Sequence, residues 1–429
     1  MKLNLESCKN IVLKWESGNG KSDPNLERSM GIGKKYDIRR IATVFVISLG
    51  VMSIFADFTY ESAWSILGPW LSLLGLSATA ISIVSGAGAL IGYGFRIFSG
   101  RLADRNQRLW PVAIFGYTIQ MIAVPLMALA GNWAVAIWLV VQERFGKAIR
   151  NPPRDMMLSH AGKQIGYGWA FGLHEALDQL GAVLGPLAIS AILVFEHANV
   201  IPLLRDYRTA FAFLTIPAVV TLTILAFNRR LYPHPERFDD TAIKLKAGGL
   251  PSIFWVYLSG AVLVGVGIGG FPLMSVHLLK SQIVPGFWIP IFYAIAMGLG
   301  GIGSLVFGRV MDRMGMKVIA PLIFVSAIGI PLVWFGNFQS AMVGIALWGL
   351  GTGVQESLIP AVLSKMIPIS RRASAIGILT AAYGISLFVG GVIIGFLYIV
   401  GIRELVIFGM AAELAAIPVF LIVSRRNKI

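Results

Sequence analysis

Asp57 and Glu61, one helical turn apart in an otherwise apolar stretch, are the first residues of this chain placed to do chemistry. A spacing of four stacks them on one helical face with Ser53 and near Trp64. Two carboxylates so placed repel when both are ionised, which suits the pair to taking up and releasing a proton. His174 and Asp178 repeat the spacing, with Glu175 between them, on a face that continues toward Gly181, Ala182 and Gly185. Glu143 and Arg144 lie deep enough in another apolar run to pair within the bundle. Lys147, Arg150, Arg154 and Asp155 continue that run toward its polar end, where anchors and salt bridges at an interface are expected. The second half of the chain is quieter: Gln355, Glu356 and Glu413 are its buried-looking amide and acids.

The elements that must position these groups follow from composition. The chain is 429 residues long, 56% hydrophobic and 13% charged, with a mean hydropathy of +0.75, whereas a soluble domain is roughly 25% charged. Apolar runs of about 20 residues recur, each long enough to cross the hydrocarbon core as a helix. They lack the period-2 alternation of a barrel strand. The expected class is therefore an all-α membrane protein. An ionised group at mid-membrane costs about 2.5–3.5 kcal/mol on the insertion scale, so the groups named above are expected to face a cavity, pair or titrate.

Twelve spans are expected, at 41–70, 78–100, 110–130, 133–157, 166–195, 208–228, 251–278, 287–309, 317–335, 339–366, 372–400 and 403–424. Lys and Arg crowd alternate loops and both tails, while the opposite loops hold only Arg205, Arg208, Lys280 and Arg403. The positive-inside rule then places both termini in the cytoplasm of a multi-pass plasma-membrane protein, and it accounts for the net charge of +15 without nucleic acid. Residues 1–40 form a polar, basic cytoplasmic tail without the apolar core of a signal peptide, and Met30 offers an alternative start. The sole cysteine, Cys8, excludes a disulfide framework. No zinc spacing, nucleophile elbow or nucleotide loop is present, so neither an enzyme nor a cofactor is expected. The glycine strings Gly86, Gly88, Gly92, Gly94 and Gly298, Gly300, Gly301, Gly303 are expected to be close-packing faces.

A phrase occurs twice: Gly100-Arg-Leu-Ala-Asp104-Arg105 and Gly308-Arg-Val-Met-Asp312-Arg313. Around it, 146–185 maps onto 351–390, pairing Ser159 with Ser364, Gly172 with Gly377 and Asp178 with Tyr383. The longest internal break, the basic loop 229–250, divides a six-helix bundle at 41–228 from another at 251–424, with a short tail at 425–429. Such matched halves mark duplication of a six-helix unit.

Twelve spans in two pseudo-symmetric halves, with this phrase between spans two and three and again between eight and nine, resemble the major facilitator superfamily of secondary transporters. In the first copy Gln107 stands where the family usually has glycine; in the second, Val310 replaces the usual leucine. Gly181-Ala-Val-Leu-Gly185-Pro186 is similar to the motif of the proton-coupled drug antiporters in that superfamily, without the glycine pair that usually follows. Arg144 stands near the family's intramembrane arginine.

The resemblance implies the major facilitator fold and alternating access, with a small-molecule substrate, protons and the lipid bilayer as partners and a monomeric state. It assigns a latch role to Gly100, Asp104, Arg105, Gly308, Asp312 and Arg313, with the two aspartates near helix N-termini and the arginines pairing across the cytoplasmic lobe junction. Gly181, Gly185 and Pro186 are expected to act as a packing hinge. Proton coupling or substrate binding is expected at Asp57, Glu61, Glu143, Arg144, His174, Glu175, Asp178, Glu356 and Tyr383, with Phe271 and Tyr293 as further substrate contacts. Antiport of a small organic molecule or drug is the expected function. Proton-linked uptake of a metabolite is the alternative, and a non-transporting sensor on the same scaffold is a rival of another class.

Overall fold

The computed structural model describes residues 31–96, 99, 109–196, 202–238, 250–353, 355, 359–367 and 369–427, and every regular element among them is helical. In chain order the α-helices are α1 (Gly31–Leu73), α2 (Ala78–Gly94), α3 (Leu109–Leu126), α4 (Trp133–Ile165), α5 (Tyr167–Glu196), α6 (Leu204–Phe213), α7 (Thr215–Leu231), α8 (Ser252–Gly267), α9 (Phe271–Lys280), α10 (Trp288–Met314), α11 (Ile319–Trp334), α12 (Phe338–Gly353), α13 (Ile359–Met366), α14 (Ile369–Val400) and α15 (Ile402–Asn427). Each expected span overlaps one of these helices or two in succession, with parts of 78–100 and 339–366 lying outside the described residues. Nine helical segments among the described residues are long and apolar enough to cross a membrane. The other three spans differ for physical reasons. The described helices α2 and α12 have only 17 and 16 residues, and in α4 the charged residues crowd every window.

Local chemistry sets where helices begin and break. Asn132 caps α4 by accepting from the Val135 amide at 3.0 Å, and Ser77 caps α2 by accepting from the Ala80 amide at 3.2 Å. Between α4 and α5 a single residue reverses the chain, Gly166 at φ +101°, a conformation that favours glycine. The seventh span is broken between α8 and α9 at Ile268, Gly269 and Gly270, with Gly269 at φ +65°.

The apolar cores show how the halves meet. At the end of the bundle near the two termini there are separate cores. One joins Phe45, Trp110, Tyr117, Met157 and Leu225 within the first half, and the other joins Phe254, Tyr257, Ile319, Leu363 and Phe420 within the second. At the opposite end one core spans both halves, with Trp70, Ile81 and Phe211 joined to Phe271, Phe292 and Ile394.

Direct contacts between the halves follow the same division. Thr79 and Ser82 of α2 donate to the Gly395 and Gly391 carbonyls of α14, both at 2.7 Å. Ser190 of α5 donates to the Phe287 carbonyl at 2.7 Å. A Cβ built on Gly68 of α1 would collide with the Pro272 carbonyl of α9. Toward the termini the halves part. Gly301 packs on Gln179, yet Gly308, two turns further along α10, has nothing within 4 Å of its Cβ position. Gly172, two turns before Gln179 on α5, is equally open. Gly86, Gly88, Gly300 and Gly301 are close-packing positions, whereas Gly92 and Gly94 face open space.

Candidate functional site

The charged residues of the first half converge where the halves begin to part. Glu143, Lys147, Arg150 and Arg154 recur at helical spacing, so α4 presents them along one face. Across from that face stand Asp57 and Glu61 of α1 and Asp178 of α5. Two glycines bring the acid-bearing helices together: a Cβ on Gly181 would strike the Ile54 carbonyl, and one on Gly185 would meet the Phe58 backbone and Ser62. Gly146 gives α3 the same close approach to α4, its Cβ position lying 2.7 Å from the Gly116 carbonyl oxygen and the Gln120 amide nitrogen.

Every cation of the α4 face has an acid within ion-pair range. Arg144 Nε lies 2.8 Å from Glu143 Oε2, Lys147 Nζ 3.8 Å from Glu61 Oε1, and Arg150 Nη2 3.5 Å from Asp57 Oδ1. Arg154 spans Asp155 at 2.9 Å and Asp178 at 3.5 Å. Neutral partners hold the network in place. Gln120 donates to Glu143 at 2.8 Å and accepts from Arg150, which also donates to the Tyr117 hydroxyl at 3.0 Å. Aromatic rings cover the cations: Arg144 lies 3.7 Å from the Trp64 ring centroid and Lys147 3.8 Å from that of Tyr60. His174 joins the network through Asp178 Oδ2 at 3.3 Å and Ser53 Oγ at 2.9 Å.

The arrangement has a chemical consequence. Asp57, Glu61, Glu143 and Asp178, enclosed in the bundle, face Arg144, Lys147, Arg150 and Arg154, four acids against four fixed cations, while the Asp155 side chain is half exposed. Such pairing carries no net charge into a low-dielectric interior, so any charge that enters the set must break one of its pairs.

Among the described residues, the second half reaches this network at Glu61. The Tyr293 hydroxyl of α10 donates to Glu61 Oε2, across 232 residues of sequence. The Tyr293 ring lies tilted against Phe271 at 4.7 Å, and Phe271 stands 6.0 Å from Trp348, so an aromatic wall backs the contact. Both Phe271 and Tyr293 are buried. Tyr383 meets Tyr93 of α2 edge to face at 5.5 Å.

Asp57, Glu61, Glu143, Arg144, His174 and Asp178 thus come together, while Glu175 sits at the exposed edge, bonded to Gln179 at 3.2 Å. Tyr383 lies away from them in the other half. Glu356, Gly100, Asp104 and Arg105 fall outside the described residues. Gly308 and Arg313 lie on the final turns of α10, and Asp312 belongs to its last turn rather than to the first turn of a helix, because α10 runs on through the phrase to Met314.

Sequence reasoning placed Arg150 and Arg154 at an interface. The structure instead encloses them: Arg150 is fully buried, because α4 runs 33 residues and its charged stretch lies inside the bundle. The i, i+4, i+7, i+11 spacing from Glu143 to Arg154 was the available signal. Tyr60, Tyr117 and Gln120 gave none, since single aromatic or amide residues in apolar helices are ordinary.

The chain matches the family model described as Major Facilitator Superfamily over residues 47–336. It is 36% identical to an uncharacterized protein of Mycobacterium tuberculosis, an alignment covering 87% of this chain and 91% of that protein. It is 23% identical to an uncharacterized MFS-type transporter of Methanocaldococcus jannaschii, covering 82% and 88%. Among solved structures it is similar in fold to the peptide transporter POT in complex with sulfate, at TM-score 0.69 and 14% identity over 90% of this chain and 94% of that one. It is also similar to the nucleoside transporter NupG, at TM-score 0.67 and 14% identity over 90% and 99%.

Proposed function

The chain belongs to the major facilitator superfamily, a family of membrane transporters, and from that premise we propose that it exports a small organic molecule by proton antiport through alternating access. The observation that carries this reading is the enclosed network on α1, α4 and α5, in which four acids are paired with four cations, so that an entering proton or charged substrate must displace one of these pairings. Both termini are cytoplasmic in this proposal, so the parted end of the bundle faces inward and the shared core closes the outer side. Protonation and substrate binding compete for the same paired charges, and the Glu61–Tyr293 bond passes the result to the second half. Coupling requires only that proton and substrate favour different conformations. The latch role of the repeated phrase and the hinge role of Gly181, Gly185 and Pro186 belong to the same proposal, in which α5 turns against α1 as one packed unit.

The experiment uses inverted membrane vesicles carrying an imposed pH gradient, with ethidium as a lipophilic cation and uridine as a neutral polar solute among the probes. Gradient-dependent accumulation of a probe is expected, and Asp57→Asn and Glu61→Gln should abolish it while leaving the protein in the membrane. Accumulation undisturbed by both substitutions removes the network from the mechanism. Flux of the probe in the opposite direction, coupled to proton entry, establishes uptake in place of export.

A further inference from the structure

A second polar centre lies in the other half, at the break of the seventh span. α8 ends at Gly267, and a helix end leaves its last carbonyls without donors inside the helix and carries partial negative charge. The carbonyls just beyond, of Ile268 and Gly269, receive Trp348 Nε1 at 3.2 and 3.3 Å. Beside Gly267 stands Glu413 of α15. A Cβ built on Gly267 would lie 3.0 Å from Glu413 Cγ and 2.8 Å from the Gly409 carbonyl oxygen. Glu413 is fully buried. Its Oε1 accepts from Ser326 Oγ of α11 at 3.4 Å, while Oε2 is buried with no hydrogen-bond partner. Among the described residues no ion pair reaches it.

A carboxylate beside a helix C-terminus sets like against like, and a positive charge between them resolves the conflict. We propose that Glu413, Ser326 and the carbonyl end of α8 form a binding site for a monovalent cation, Na⁺. The spacing fits. Na⁺ is close in size to Ca²⁺, whose oxygen ligands lie at about 2.4 Å, and two oxygens at that distance and near a right angle stand about 3.4 Å apart. That is the Ser326–Glu413 separation. One carboxylate among neutral oxygens balances a single charge, whereas Ca²⁺ sites recruit several carboxylates. No group of three or more His, Cys, Asp or Glu that could hold a metal ion occurs among the described residues. Broken helices whose carbonyl ends face an ion are the form such sites take within membranes. The location also gives the ion a lever. The break leads into α9, which closes on α1 at Gly68, and a Cβ on Gly270 would lie 2.9 Å from Ser85 Oγ of α2. The ion therefore stabilises the conformation in which that end is shut. The site is independent of the proton network of the first half, and its test needs no transported substrate.

Thermal unfolding of the purified full-length protein in detergent is followed as NaCl replaces choline chloride at constant ionic strength, with KCl and LiCl in parallel. A saturable, Na⁺-dependent rise of a few degrees is expected in the wild type. Glu413→Gln should abolish it, and Ser326→Ala should raise the half-saturating concentration about tenfold. Glu404→Gln, an exposed acid on the same helix, should leave it unchanged. If Glu413→Gln does not fold, ²²Na⁺ binding to the wild type and to Ser326→Ala decides the matter. A wild type that responds to Na⁺ no more than to choline overturns the site, as does a response that survives in Glu413→Gln or a stabilisation that follows pH alone.

Discussion

Tyr293→Phe removes one hydroxyl and leaves the ring that packs against Phe271, so it isolates the bond from α10 to Glu61. A hydrogen bond to a charged group contributes about 1.5–3 kcal/mol. The Glu61 side chain keeps 13% exposure, so water competes for it and the lower figure applies, about 1.5 kcal/mol. If the bond exists only while the halves are shut at the end away from the termini, its loss lowers the population of that conformation roughly tenfold. Spin labels report this directly. In a Cys8→Ser background, Tyr167→Cys on α5 and Met314→Cys on α10 place labels on different halves at the parted end, and both positions are exposed. Electron–electron distance distributions should show the wide-separation population falling about tenfold relative to the narrow one in Tyr293→Phe. The same change in a Glu61→Gln background should have a smaller effect, because the two residues share one interaction. An unchanged ratio in a normally folded Tyr293→Phe protein refutes the claim that this bond joins the halves.

Asp57→Asn leaves the buried Arg150 guanidinium without its countercharge. Loss of one partner of a buried pair costs about 3–5 kcal/mol, reduced here by the Gln120 and Tyr117 bonds; denaturation in detergent should show the loss, and adding Arg150→Met should recover much of it. Gly181→Val drives a side chain into the Ile54 carbonyl and should cost about 1–3 kcal/mol by forcing α5 from α1. Gly172→Ala, with open space at its Cβ position, should instead leave the melting temperature unchanged or raise it.

Hydropathy made the helices legible because each span must bury its backbone polar groups in its own hydrogen bonds. Pairs on one helix were legible for a similar reason: His174 and Asp178 meet because they are four residues apart. Contacts between helices were not. Nothing local joins Asp57 to Arg150 or Glu61 to Tyr293; these contacts come from helix packing, of α5 on α1 at Gly181 and Gly185, of α3 on α4 at Gly146 and of α10 on α5 at Gly301. Depth was the other gap. Arg150 and Arg154 have the composition of interfacial anchors, and enclosure by α1, α3 and α5 makes them members of the network.

The duplicated architecture carries unequal chemistry, and the inequality follows from how two rigid halves can be coupled. The offset of 205 that pairs Gly146 with Gly351 sets Gln355 against Arg150 and Tyr383 against Asp178, so the second half has lost the charges that the first half pairs. Among its described residues it keeps one buried acid, Glu413, at a broken helix, where a small displacement of α9 would change the closure on α1 and α2. A network that exchanges a proton in one half, as proposed, would need a mechanical contact with the other, and the Tyr293–Glu61 hydrogen bond would supply it. A cation at the α8 end would act on the same closure from the opposite side. Two charge-sensitive centres then bias one rocking motion: the first through a hydrogen bond across the junction, the second through the geometry of a helix break.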